Sequence, residues 1–201
     1  MDLKGKHIIL GSNSPRRKEL LKGLDIDFEV DTGNNFEEHF GHDVPFGQVP
    51  RLMSVGKSHG FHRPLAENEI LITADTMVIL PPQEGRPGEL LGKPKDREDA
   101  VRMLRELSGR AHHVTTAVTL RDSRGEETFD VTTQVWFKAL SEEEITYYVD
   151  TYRPFDKAGA YAIQEWIGHI GITRIEGSYF NVVGFPVQRV YEALMRRLST
   201  P

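Results

Sequence analysis

No cysteine occurs among the 201 residues, which excludes disulfides, thiolate metal sites and a cysteine nucleophile. That absence fits a reducing compartment. Long hydrophobic runs are also missing: the longest apolar stretch, Ile70 to Leu80, is interrupted by Asp75 and is too short to span a bilayer. At the start of the chain, His7-Ile8-Ile9-Leu10 is far shorter than the core of a secretory signal and is followed by Gly11 and Ser12. A cytoplasmic protein with no membrane partner is expected. Positive charge is not in excess, since Lys plus Arg number 25 against 30 Asp plus Glu, for a net charge of -5. With no overall basic field and no basic stripe, nucleic acid is not an expected partner, and an anionic ligand has to be met by a local cluster. G-x-x-x-x-G-K-[ST], G-x-G-x-x-G and G-x-S-x-G are all absent, so P-loop, dinucleotide-binding and serine-hydrolase chemistry gain no support.

What remains is a globular composition, with 38% hydrophobic and 27% charged residues. Apolar runs of strand length at His7–Leu10, Phe28–Thr32 and Ile70–Ala74 alternate with helical periodicity, as in an α/β fold. Ser14 and Pro15 open a helix carrying Leu20, Leu21 and Leu24, and a second helix is predicted from about Pro50 to Phe61. Between them, residues 33 to 49 are polar and aperiodic and are expected to form a long functional loop. Asp96 caps a helix through Leu107, with Ala100, Met103, Leu104 and Leu107 on one face. Val- and Thr-rich segments flank Asp122 to Gly125 as a hairpin, Ser141 and Glu144 form a capping box, and a last helix runs from Pro186 to Leu198. No repeat or linker is visible, so residues 1–201 are expected to form a single domain.

Three places break local rules in ways that suggest chemistry. Arg16 and Arg17 fall in the first turn of a helix, where the dipole disfavours cations by about 0.3–1 kcal/mol each. An anion held by helix N–H groups, the Ser12 and Ser14 hydroxyls and two guanidiniums reverses that sign; the alternative is that both arginines bend into solvent. Asp75 interrupts an apolar run where an unpaired carboxylate is costly, and it is expected beyond the carboxyl end of the Ile70–Ala74 strand, where α/β folds bind ligands. The alternative there is a capped turn. Lys93 and Lys95 precede a helix start, and Lys57 lies on the second helix; either neutralises phosphate or is solvated. Glu37 and Glu38 offer carboxylates that join Asp75 around a hard divalent cation, or form a solvated acidic loop. The histidines lack metal-site spacing, and Tyr147, Tyr148, Tyr152 and Tyr161 read as packing residues.

Taken in order, Leu10-Gly-Ser-Asn-Ser-Pro-Arg-Arg17, Ala74-Asp-Thr76, Gly92-Lys-Pro-Lys-Asp96, Leu107-Ser-Gly-Arg110, Lys157-Ala-Gly-Ala-Tyr161 and Glu176-Gly-Ser-Tyr179 followed by Asn181-Val-Val-Gly184 resemble the Maf family of nucleoside triphosphate pyrophosphatases over nearly the whole chain. The resemblance implies a Maf/ITPase-like α/β fold, a twisted mixed sheet flanked by helices with two lobes around a central cleft, and a homodimer. It implies hydrolysis of a nucleoside triphosphate between the α and β phosphates with a divalent cation, Mg²⁺ or Mn²⁺. The run Lys157 to Tyr161 followed by Ala162-Ile163-Gln164 resembles the branch that acts on dTTP and UTP. By that resemblance Asp75 is the proton acceptor, Arg16, Thr76 and Gln164 are tied to substrate choice, and Glu37, Lys57 and Lys93 are charged cleft positions. Gly11 and Asn13 depart from the family's commoner Ala and Gly or Ala, and Ala162 and Glu165 stand where glycine is usual.

This assignment has a physical counterpart. Arg16, Arg17, Lys57, Lys93 and a helix N-terminus stabilise the charge of a transferring phosphoryl group, with Ser12 nearby as a donor. A cation held by Asp75 and Glu37 acidifies a water for attack, and Asp75 acts either as its ligand or as a free general base. Gln164 offers a donor and an acceptor to a pyrimidine edge. Two other readings stand beside this one: a non-catalytic nucleotide-binding regulator of cell division, and the same hydrolase acting on a purine or modified nucleotide. Retention of Asp75 with Lys57 and Lys93 favours catalysis over mere binding.

Overall fold

The computed structural model describes residues 2–41, 43–83, 85 and 87–199. Its strands are β1 (His7–Leu10), β2 (Phe28–Val30), β3 (Glu69–Leu80), β4 (Glu89–Leu91), β5 (Ala111–Asp122), β6 (Gly125–Phe137) and β7 (Ile172–Glu176). Its α-helices are α1 (Pro15–Lys22), α2 (Val49–His59), α3 (Arg97–Leu107), α4 (Glu142–Tyr152), α5 (Trp166–Gly171), α6 (Tyr179–Val183) and α7 (Val187–Ser199). The seven strands form a mixed sheet in the order β2-β1-β3-β5-β6-β7, with β4 paired to β3. β1 runs parallel to both β2 and β3, while β3–β4 and β6–β7 are antiparallel. No helix among the described residues is long and apolar enough to cross a membrane.

The chain falls into two compact units, Met1–Asp75 with Thr116–Val131 and Gly184–Pro201, and Thr76–Thr115 with Thr132–Val183. In the first, side-chain alternation sorts β1 and β3 onto two faces. Ile8, Leu10, Ile70, Ile72 and Ala74 pack with Leu21 of α1 and with Val187, Val190, Leu194 and Leu198 of α7. Ile9 and Leu71 turn the other way, toward Phe61. Thr73 and Asp75 therefore share the face of Leu71.

In the second unit Val78, Leu80 and Leu91 meet Ala100, Met103, Leu104 and Leu107 of α3 and Ile145, Tyr148 and Val149 of α4. Asp96 caps α3 by accepting from the Asp99 N–H, and the Ser141/Glu144 capping box opens α4 as its spacing predicts.

The sequence placed Asp75 past the end of a strand. It lies instead within β3, because that strand pairs in parallel with β1 as far as Ile72 and antiparallel with β4 from Val78 to Leu80, so the chain stays extended between. The loop from 33 to 49 is largely irregular, with one short 3₁₀ turn at Phe46–Gln48; its His42 lies outside the described residues, as do Glu84 and Arg86 of the turn before β4.

Candidate active site

In the first unit α2 carries Lys57 in its last turn, and β3 carries Asp75 on the face turned away from α7. The Lys57 ammonium donates to Asp75 Oδ1 at 2.6 Å and pairs with Glu38 Oε1 at 2.9 Å. Asp75 is 7% exposed. Its second oxygen, Oδ2, is buried and has no hydrogen-bond partner among the described residues. Burial pushes the Asp75 carboxyl above the usual carboxylate range, and the opposing pull of Lys57 and Arg17 offsets only part of that rise. A carboxylate with one oxygen anchored and the other bare, and with raised basicity, suits either proton abstraction or ligation of a hard cation.

The first turn of α1 supplies the next part. Ser14 caps it, accepting from the Arg17 N–H, with Pro15 at the first helical position. The Arg17 side chain turns inward: Nε donates to Gly184 O at 3.0 Å, and Nη1 to Ala74 O at 2.8 Å and to Ser12 Oγ at 3.4 Å. Burial lowers the Arg17 pKa, and the nearby Asp75 carboxylate works against that. Arg17 thus holds the carbonyl that immediately precedes Asp75. Ser12 is buried and accepts from the Ser14 N–H as well, while Arg16 is half-buried on the same helix.

The first unit therefore gathers Ser12, Arg17, Lys57, Glu38 and Asp75. Of the two loop acids it is Glu38 that reaches Lys57; Glu37 is exposed, and its backbone carbonyl lies 3.1 Å from His39 Nδ1. Thr76, half-buried, follows Asp75 along β3. Lys93 and Gln164 belong to the second unit, both exposed, Lys93 between β4 and α3 and Gln164 just before α5.

The second unit also holds a polar network around Tyr148, whose ring packs in the core as expected. The Tyr148 hydroxyl donates to Glu165 Oε2 at 2.5 Å and accepts from the Ala162 N–H at 3.2 Å. The buried Lys157 ammonium lies 3.3 Å from Glu165 Oε1 and 2.7 Å from Asp156 Oδ1. This fixes both ends of the segment from 157 to 165. The signal available in sequence was Glu165 itself, a charged residue at a position where the resembled family has glycine.

No group of three or more His, Asp or Glu side chains among the described residues forms a ready cage for a metal ion. The donor set nonetheless fits a small hard cation of the Mg²⁺ kind, which takes one or two carboxylates and completes its shell with water and phosphate oxygens. Asp75 Oδ2 is a buried oxygen lacking any other partner among the described residues.

A family model described as "Maf-like protein" matches residues 7–197. Among curated proteins, a dTTP/UTP pyrophosphatase of Bacteroides thetaiotaomicron is 47% identical over 94% of this chain and 95% of its own length. Those of Phocaeicola vulgatus and Porphyromonas gingivalis are each 46% identical, over 94% and 96% of this chain and 95% of their own lengths. Among solved structures, the Staphylococcus aureus Ham1 protein is distantly similar, at 14% identity and a TM-score of 0.49 over 96% of this chain and 99% of that one.

Proposed function

Because the chain belongs to the Maf family, we propose that it is a nucleoside triphosphate pyrophosphatase that acts on dTTP and UTP. Water attacks the α phosphorus, the bond to the oxygen bridging α and β breaks, and the products are the nucleoside monophosphate and pyrophosphate. The observation that carries this reading is the half-engaged Asp75, buried, tied to Lys57 through Oδ1 and bare at Oδ2 among the described residues. A purely structural aspartate in that position would cost free energy for the unsatisfied oxygen without return.

Each side chain then has a definable task. Asp75 Oδ2 takes the proton of the attacking water or would hold a Mg²⁺ or Mn²⁺ ion, with one of the loop acids, Glu37 or Glu38, as the second carboxylate. When bound, such an ion supplies a Lewis acid for phosphate oxygens and acidifies water. Lys57 keeps Asp75 oriented and adds positive charge where the triphosphate's charge accumulates. Arg16, Ser12 and the α1 N-terminus meet phosphate oxygens, while Arg17 holds the backbone beneath Asp75. Lys93, Thr76 and Gln164 are assigned through the family resemblance, Lys93 to charge neutralisation and Thr76 and Gln164 to choice of base.

The test is pyrophosphate release from dTTP, UTP, CTP, GTP and ATP with Mg²⁺, with Mn²⁺ and with chelator. Cation-dependent release concentrated on dTTP and UTP is the expected outcome. Release from a purine nucleotide alone removes the base assignment, and no release from any of the five removes the enzymatic reading in favour of a nucleotide-binding regulator.

A further inference from the structure

Behind the Lys57–Asp75 contact lies a second rung between the same two elements. Ser54 sits one helical turn before Lys57, and Thr73 sits two residues before Asp75 on the same face of β3. The two residues exchange reciprocal bonds: Thr73 Oγ1 donates to Ser54 O at 2.8 Å, and Ser54 Oγ donates to Thr73 O at 3.2 Å. Both are fully buried. Ser54 Oγ also lies 2.9 Å from Thr119 Oγ1 on β5, which lies 2.9 Å from Thr128 Oγ1 on β6.

Each hydroxyl has a single proton, so the order is fixed once Ser54 gives its own to Thr73 O. Thr119 then donates to Ser54, and Thr128 to Thr119. Three hydroxyls, on β6, β5 and α2, form one polarised row ending on the backbone of β3. One turn further along α2, Arg121 donates to Ser58 Oγ at 2.9 Å and to Ser58 O.

An apolar layer in this place would hold α2 against the sheet equally close, but dispersion contacts are nearly indifferent to a small slide along the strand. Hydrogen bonds are directional and fail within a fraction of an ångström. Reciprocal bonds through backbone carbonyls therefore lock the register of α2 on β3, and that register sets where the Lys57 ammonium meets the Asp75 carboxylate.

We propose that Ser54 and Thr73 are positioning residues, a buried register lock that places Lys57 on Asp75 Oδ1 and leaves Oδ2 free to act. The inference rests on the reading of Lys57 and Asp75 as the reaction centre. It predicts that removing the lock affects the chemical step and hardly affects the capture of substrate, because both residues are fully buried.

Thr73→Val removes the donor and nearly keeps the shape, Ser54→Ala removes the other half, and Thr73→Ser keeps the hydroxyl. With dTTP, the first two are expected to lose about tenfold to a hundredfold in kcat with KM within about threefold, whereas Thr73→Ser stays within about twofold of the parent. Crystal structures of the same variants read the Lys57 Nζ to Asp75 Oδ1 separation directly, expected to lengthen past about 3.2 Å in Thr73→Val and to be retained in Thr73→Ser. An unchanged separation, or an unchanged kcat beside a lengthened one, overturns the proposal. Should the parent protein turn over no nucleotide at all, the functional reading fails; the lock then stands if the separation shifts as expected and falls if it does not. If Thr73→Val does not fold, Ser54→Ala against Thr73→Ser decides the same question.

Discussion

Among the described residues of the first unit two aspartates, Asp75 and Asp122, are buried, and they are treated in opposite ways. Asp122, at the end of β5, has a fully inaccessible side chain that accepts from the Arg124 N–H and guanidinium and pairs with Arg197 of α7 at 2.9 Å. Burial pushes its pKa up, but the bonds from Arg124 and Arg197 outweigh burial and hold it below the usual value. Asp75 is also buried, yet it has one ammonium on one oxygen, and its pKa is raised. Burial therefore does not mark the functional carboxylate; incomplete satisfaction does. Asp122 ties the β5–β6 hairpin to the C-terminal helix, and its bonds leave it no capacity for chemistry. Asp75 retains that capacity at a cost in stability.

Exchanging each for its neutral amide breaks the comparison most sharply. Asp75→Asn is expected to lower pyrophosphate release by about a thousandfold or more, as for loss of a general base or of an electrostatic anchor, with thermal stability equal to or above the parent, because the desolvated charge is gone. Asp122→Asn should do the reverse, keeping the parent's kcat while losing about 3 kcal/mol of stability, since two guanidiniums then lack their buried counter-charge. Activity assays and thermal melts of the two variants side by side read the crossing pattern. Two variants that lose stability together, or lose activity together, would dissolve the distinction.

A titratable group in the second unit sharpens it. His112 is buried, with Nε2 2.7 Å from the Tyr161 hydroxyl and Nδ1 without a partner among the described residues. Burial, with a smaller contribution from His113, lowers its pKa to about 3. A folded-state pKa below the unfolded value means that this histidine's contribution to stability is complete above about pH 6.5. It is lost as pH falls toward 3, at about 1.4 kcal/mol per unit in the interval. Asp122, also depressed, loses its contribution only below about pH 4. The parent should therefore weaken in two stages on acidification. His112→Leu/Tyr161→Phe, which removes both polar partners, should flatten the first stage between pH 6.5 and 4 and leave the second. A melt series in which the double variant keeps the parent's slope over that interval would count against a buried neutral His112.

Much of this scaffold is legible locally. The caps at Asp96 and Ser141 and the apolar face of α3 announce their helices without help from elsewhere, because capping and periodicity act within one turn. Asp75 stands out for a similar reason, as a carboxylate in an apolar run. Its partner does not: Lys57 is 18 residues away and meets it only because α2 lies on that face of β3. The choice of Glu38 over Glu37 likewise depends on how an aperiodic loop runs, which no spacing encodes. From 152 to 185 the elements are too short to show a period, α5 having six residues and α6 five. Gly168 there is required by a close approach of the backbone five residues earlier, since a Cβ on it would stand 1.8 Å from Ile163 O. The fold expectation of a mixed sheet with helices holds, whereas the placement of Asp75 beyond a strand end failed because pairing with β4 carries β3 through it.

The smallest expected effect concerns Gly11, where the resembled family commonly has alanine. The backbone there does not need glycine, as its φ is not positive. The constraint is spatial: a Cβ would stand 3.0 Å from Thr73 Cγ2 and 3.3 Å from Leu71 Cδ1. Leu71 can shift a methyl group, but Thr73 is held at both Oγ1 and its carbonyl, so its methyl yields only if the bond to Ser54 is strained. Gly11→Ala should therefore cost less than about tenfold in kcat through partial misplacement of Asp75, with about 1 kcal/mol of overpacking. Adding Thr73→Ser removes the offending methyl and keeps the hydroxyl, so the double variant should recover most of the parent's kcat and melting temperature. Recovery in the double variant would show that the half-satisfied aspartate owes its geometry to the rung behind it. A Gly11→Ala protein that is fully active by itself would show instead that β1 gives way freely, and that the order around Asp75 does not depend on this contact.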